Sequence, residues 1–268
     1  MLIKDQNCPN CDAYYDPTLE KCPVCHKPNE LYLDRKINTS IAFMHPIAQI
    51  GLFLAGLGFA GMLIAQIIFA SIFSFISDEL LFKTIVIFAT YLLMVTGLCS
   101  IVFFTRRKHF IAKYKRPIDY IYGIGYAFTL YFAAAIISAF VSIFYKQENN
   151  NNQAIAVLIA QNYPIIGFFV MAVLGPICEE LTYRVGLYSF LRRINKYLAL
   201  AISAVIFALI HFDFQAENII NELWALPTYL VSGVVLGLAY EHRGPACSMT
   251  AHLAYNLFAF FVMLIYGQ

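Results

Sequence analysis

Three short patterns in the C-terminal half place acid–base residues at helical spacing: Glu179-Glu180-Leu-Thr-Tyr-Arg184, Phe207-Ala-Leu-Ile-His211 and His252-Leu-Ala-Tyr-Asn256. A four-residue step keeps two side chains on one helix face, so Glu180 can pair with Arg184, Phe207 stands with His211, and His252 with Asn256. Glu179 points about 100° away from Glu180, which frees it for a different partner. A water held by a carboxylate and an imidazole is a hydrolytic nucleophile, because the pair removes its proton and orients it. A second imidazole and an amide can donate hydrogen bonds to a tetrahedral oxyanion. Glu179, His211 and His252 would also make a catalytic zinc shell that activates the same water, although no H-E-x-x-H is present.

A second constellation lies at the other end. Cys8, Cys11, Cys22 and Cys25 form C-P-x-C, ten residues, C-P-x-C within a polar stretch of about 30 residues. Two such knuckles offer four thiolates, which close a tetrahedral shell around a structural zinc. So short a segment cannot bury a core that folds alone, and a metal would supply the missing stability. Two disulfides are the competing reading, and no βαβ pattern supports a thioredoxin-like redox role. No apolar segment of signal-peptide type follows the first residues, so a cytosolic, reducing setting for the thiols is expected. His26 is read as a solvated neighbour of the last cysteine.

The elements that must position the first three patterns are apolar. The chain has 268 residues, 60% hydrophobic and 13% charged, with a net charge of +2, and its mean hydropathy is +0.68. Soluble domains are nearer half apolar and a quarter charged. The composition therefore excludes an ordinary soluble enzyme and a disordered chain, and the small net charge gives no reason to expect nucleic acid. It describes an all-α polytopic membrane protein in a lipid bilayer, with a small N-terminal zinc ribbon. Seven spans are expected, near 46–76, 80–104, 118–145, 164–194, 197–213, 223–241 and 245–266, each long enough for a bilayer. The stretch 154–162 is apolar but too short to span. The expected divisions are a ribbon over 1–30, a linker over 31–45 with Arg35 and Lys36, N-terminal transmembrane helices over 46–153, and a catalytic helical core over 154–268.

Charge sorts the connections. Arg106, Arg107, Lys108, Lys113, Lys115 and Arg116 follow the second span, Arg192, Arg193 and Lys196 the fourth, and Arg243 the sixth. The alternate connections carry Asp78 and Glu79, a run of four asparagines after Glu148, then Asp213, Glu217 and Glu222. The positive-inside rule puts the first set, and with it the ribbon, in the cytoplasm of a plasma-membrane protein. Measured from Asn195, Glu179 and His211 are each sixteen residues away, so both lie about 24 Å from that turn at one level. His252 lies nine residues past Arg243, about 14 Å from its turn, and needs tilt or a dip at Gly244-Pro245 to meet them. Ionisable groups inside a span are costly, and these three helices hold nearly all of them.

E-E-x-x-x-R, F-x-x-x-H and H-x-x-x-N on successive membrane helices resemble the CAAX-processing and bacteriocin-processing (CPBP, or Abi) intramembrane protease family, which includes the type II CAAX prenyl endopeptidases. The resemblance covers roughly 164–266. It implies that Glu179 and His211 activate the attacking water, that His252 and Asn256 stabilise the oxyanion, and that Glu180 and Arg184 support them. It implies an eight-span architecture, one more than the seven read from hydropathy, and leaves open whether the enzyme is glutamate-dependent or a metalloprotease. The expected substrate is a hydrophobic or membrane-associated peptide or protein, cleaved at a peptide bond. The ribbon, which resembles those of many bacterial membrane proteins, would dock or regulate through a partner the sequence leaves unassigned. The alternative is a non-proteolytic bacteriocin-immunity or scaffold protein of the same fold.

Other candidates read as packing. Gly51 with Ala55, Gly56 with Ala60, Gly61 with Ala65 and Gly233 with Gly237 are small residues at four-residue steps that let helices approach. Cys99, Cys178 and Cys247 read as small apolar fillers. Tyr183 reads as packing, His45, His109 and His242 as interfacial residues, and Asp213 as an outer-surface residue.

Overall fold

The computed structural model describes residues 6–15, 19, 21–29, 41–42, 44–57, 59–146 and 150–267. Most of the expected linker, with Arg35 and Lys36, lies outside the described residues, as do Asn149 and the side chains of Arg106, Arg107, Lys108 and His109.

At the N-terminus, β1 (Gln6–Asn7) pairs antiparallel with β2 (Tyr14–Tyr15), and Lys21 bridges Pro28. The remainder is helical: α1 (Pro46–Leu57), α2 (Phe59–Ile72), α3 (Glu79–Ala112), α4 (Pro117–Phe144), α5 (Asn151–Asn162), α6 (Pro164–Leu191), α7 (Lys196–Leu209), α8 (Ile219–Arg243) and α9 (Pro245–Tyr266). The all-helical membrane architecture with a small N-terminal ribbon is borne out. Among the described residues, five helices (Glu79–Thr105 within α3, then α4, α6, α8 and α9) are long and apolar enough to cross a bilayer.

The other two expected spans take a different form. Residues 46–76 hold two shorter helices, α1 and α2. The expected span 197–213 holds α7, whose 14 residues reach only about 21 Å, short of a hydrocarbon core of about 30 Å. The stretch at 154–162 is the body of α5, which starts at Asn151 and buries Val157, Ile159 and Ala160.

Local chemistry sets the ends. Asp78 caps α3 through Leu81 N–H at 2.7 Å, and Asn195 caps α7 through Tyr197 and Leu198 N–H. Asn150 and Gln153 form a capping box on α5, which satisfies two otherwise orphaned N–H groups. Between α8 and α9, Gly244 takes φ 81°, a conformation open to glycine, and Pro245 then starts α9 at its first position. Pro245, Ala246, Cys247 and Ser248 are all buried, so the start of α9 is packed inside the protein.

Helix contacts are close where glycines allow. An added Cβ at Gly186 of α6 would meet Phe53 N of α1 at 2.9 Å, and one at Gly233 of α8 would meet Ala204 Cα of α7 at 2.8 Å. Gly51 faces open space. On the side of the Arg192–Arg193 turn, Arg192 grips Glu241 through three hydrogen bonds of 2.8 to 3.1 Å, which raises the guanidinium pKa further. Arg193 reaches Gln49 and the Met44 carbonyl. These contacts tie α1, α6 and α8 together at one end of the bundle.

Candidate active site

The ribbon is a separate centre. Cys8 Sγ lies 3.6 Å from Cys25 Sγ and Cys11 Sγ 3.7 Å from Cys22 Sγ, and all four sulfurs fall within 4.8 Å of one another. A zinc–sulfur tetrahedron with bonds near 2.3 Å has edges of about 3.8 Å, so the set fits a structural Zn2+. The two knuckles repeat one geometry: Cys8 N–H binds Ala13 O and Cys22 N–H binds Lys27 O, and Asp12 and His26 both take φ 55°. His26 is exposed and serves as this turn residue. A backbone hydrogen bond from Lys27 favours the Cys25 thiolate, while the neighbouring sulfurs push the Cys11 thiol up, as expected where four thiols crowd together.

In the helical body, one cavity of about 580 Å³ is lined by Glu179, His211, His252 and Asn256 together. Helix α6 is the frame. It is π-helical over Phe168–Leu174 and Glu180–Tyr188, with an α turn at Gly175–Glu179 between them. The i→i+5 pattern widens the turn and occurs often at functional sites. Glu179 and Glu180 themselves keep ordinary α-helical angles, φ −67° ψ −43° and φ −66° ψ −40°, and their side chains bring both carboxylates to the same imidazole. His252 Nδ1 lies 3.1 Å from Glu180 Oε1, and its Nε2 lies 3.6 Å from Glu179 Oε2.

Arg184 pairs with Glu180 at 3.5 Å, and both side chains are almost fully buried. Its guanidinium also lies over the Phe207 ring, 4.6 Å from the centroid. Phe207 in turn presents its edge to Tyr183 and His252. The i, i+4 pair read from sequence is present, and it sits behind His252 rather than in the open cavity.

His211 lies two residues beyond the end of α7. Its Nδ1 is 2.8 Å from the Phe207 carbonyl. A carbonyl only accepts, so Nδ1 carries the hydrogen and Nε2 keeps its lone pair. The ring stacks on Tyr229 at 4.3 Å and 20°. Asn256 spends one amide hydrogen on the Met171 carbonyl at 3.0 Å and keeps a second donor.

Sequence reasoning missed Tyr229, Asn152 and Tyr91, which also line the cavity, and the buried Glu222 and Asp119. Asn152 donates to the His211 carbonyl at 2.8 Å. The Asn150-x-x-Gln153 capping spacing was the available signal for α5; the tyrosines carried none among so many aromatics. Cys178 is buried at the cavity wall, and Tyr183 lines it too. His242 lies at the end of α8 against Tyr122 and Tyr126. Asp119 sits between Arg116 and Arg243.

The fold and cavity define a polytopic helical membrane protein with Glu179, His211, His252 and Asn256 lining one cavity and Glu180 behind His252. Comparison with known proteins then gives its kin. Residues 160–258 match the family model described as Type II CAAX prenyl endopeptidase Rce1-like. That segment contains all six polar residues of the three motifs, and it bears out the family resemblance read from them. The chain is 28% identical over 155 residues to the UPF0177 protein YvdC of Lactococcus lactis subsp. lactis (strain IL1403), covering 57% of this chain and 55% of that protein. It is 27% identical over 162 residues to the Membrane-embedded CAAX protease MroQ of Staphylococcus aureus (strain USA300), covering 56% of this chain and 62% of that one. The chain thus spans less than two thirds of either relative's length. No solved structure matches it.

Proposed function

We propose that the protein is an intramembrane endopeptidase that hydrolyses a peptide bond of a membrane-associated or hydrophobic peptide with a water activated by Glu179 and His211. The observation that carries this reading is the convergence of Glu179, His211, His252 and Asn256, from α6, the loop after α7, and α9, on one cavity. His211 Nε2 has the free lone pair of a base, and Glu179 supplies a carboxylate beside the same space. The second Asn256 amide hydrogen donates to the oxyanion as the carbonyl becomes tetrahedral, and His252 joins it when its Nε2 also carries a proton.

In the proposed route the Glu179 carboxylate takes the proton of the attacking water. Nδ1 of His252 faces Glu180 and Nδ1 of His211 faces the Phe207 carbonyl, an arrangement that leaves each Nε2 free to face water or a metal. In this reading the ribbon holds the structural zinc and faces the cytoplasm, on the side of the basic connections.

The test is a comparison of membrane peptides from cells carrying the wild type, Glu179→Ala or His211→Ala. Cleavage products present with the wild type and missing with both variants are expected. Equal peptide profiles from folded, membrane-inserted variants overturn the proposal and favour a binding role for the same fold.

A further inference from the structure

His211 has an unusual problem for a base. It lies beyond the last residue of α7, on a loop, where backbone freedom would let the ring wander. The sequence around it supplies no motif that fixes it other than Phe207. The structure shows a second set of restraints from α5 and α8. Tyr229 lies parallel to the imidazole at 4.3 Å, and its hydroxyl is held by Asn150 Nδ2 at 3.1 Å. Asn152 Nδ2 holds the His211 carbonyl.

The loop itself is fastened by Glu222. This side chain is buried, and its two oxygens accept from two different segments: Asn151 N–H at 3.0 Å and Asp213 N–H at 3.2 Å. Asn151 closes the circuit by donating its amide to Asp213 at 2.7 Å. A buried carboxylate that joins the start of α5 to the loop fixes the depth of that loop, since leaving it without donors is costly.

We infer that Tyr229 and Glu222 are positioning residues for His211: the stacked tyrosine sets the plane of the imidazole, and the buried carboxylate clasps its loop to the N-terminus of α5. Neither residue belongs to the three motifs. The kinetic consequence rests on the proposed protease reading; the geometric one does not. Together they hold the ring of His211, which lines the cavity with Glu179, and orientation of this kind sets the rate of a proton-transfer step more than it sets substrate affinity.

The test uses the full chain in lipid nanodiscs and two readouts. The first is the rate at which diethylpyrocarbonate modifies His211, followed by peptide mass spectrometry, which needs no activity. Tyr229→Leu and Glu222→Gln are expected to raise that rate roughly three- to tenfold, as the loss of one aromatic or buried polar contact allows. Tyr229→Phe keeps the stack and is expected to stay within about twofold of wild type. The second readout is turnover of a peptide identified by the membrane comparison. There Tyr229→Leu should lower kcat up to about 100-fold with KM little changed, and Tyr229→Phe should restore it.

If Tyr229→Leu does not fold, Glu222→Gln carries the test with Tyr229→Phe as its control. Wild-type His211 reactivity in folded Glu222→Gln, or Tyr229→Phe as damaged as Tyr229→Leu, overturns the inference. The expected reactivity pattern without any wild-type turnover supports the clasp and sinks the protease reading alone.

Discussion

Glu180 Oε1 stands 3.1 Å from His252 Nδ1, with the two side chains almost wholly buried. A hydrogen must lie in that gap, because two lone pairs facing each other across it would repel. The contact fixes the imidazole so that its other nitrogen faces Glu179. Glu180 is also the counter-charge of Arg184, so it does two jobs that can be separated. Glu180→Gln still accepts from His252 but strands a buried guanidinium, which costs about 3 kcal/mol. A marked fall in Tm is expected in a thermal melt of the detergent-solubilised protein. Adding Arg184→Met should recover much of that stability while turnover stays low. Recovery of full turnover in the double variant would show that Glu180 serves only Arg184.

The metal chemistry divides the same way between the two ends of the molecule. The four cysteine sulfurs fit one tetrahedral zinc, and the cavity histidines are engaged with carboxylates and a carbonyl. Metal analysis of the purified protein is expected to give about one zinc per chain, and Cys11→Ser with Cys22→Ser should abolish it. Proteolysis in the membrane should survive that double substitution. Loss of turnover that zinc restores to the ribbon variant would place a working metal in the cavity instead.

The candidate site was legible in the sequence because lipid makes polar residues conspicuous. Glu179, Glu180, Arg184, His211, His252 and Asn256 stand out against apolar spans, and Glu179 and His211 line one cavity, although His211 lies past the end of α7, outside the helical rise counted from Asn195. Their mutual arrangement was less visible. That both glutamates lie near His252 is not visible in a pattern that sets them about 100° apart. The burial of the Gly244-Pro245 turn is likewise a matter of tertiary packing. The asparagine run looked like a solvated connection, yet Asn150 begins the cap of α5 and Asn151 and Asn152 hold the His211 loop. Glu222 was counted with the loop acids and is buried in the first turn of α8. A polar residue next to an apolar span reads the same whether water or another helix satisfies it.

That loop also has a pH signature. Asp213 is held below the usual aspartate range, chiefly by the Asn151 amide and also by Gln215 N–H. A depressed carboxyl contributes stability above its unfolded pKa, near 3.9, and loses it as pH falls through the lower folded value. Hydrogen exchange of the 210–218 segment should therefore be insensitive to this group at neutral pH and rise below about pH 4. Asp213→Asn keeps an acceptor without the charge and should flatten that acid dependence. An unchanged dependence would assign the acid opening to another group.

Packing gives a sharper contrast, because two helix glycines meet different surroundings. Gly186 presses on α1: a Cβ there would lie 2.9 Å from Phe53 N and 3.1 Å from Gln49 O, both backbone atoms that cannot swing aside. Gly186→Ala must push α1 away from α6 and should cost about 1–3 kcal/mol. Because α6 carries Glu179 and Glu180, the same shift should lower turnover. Gly51 has nothing within 4 Å of the equivalent position. Gly51→Ala adds no clash and removes a flexible helix residue, so Tm should hold or rise slightly. Parallel thermal melts of the two variants in one detergent decide the matter. Equal destabilisation would mean that α1 and α6 are not held at backbone contact, and the frame inferred for the two glutamates would fail with it.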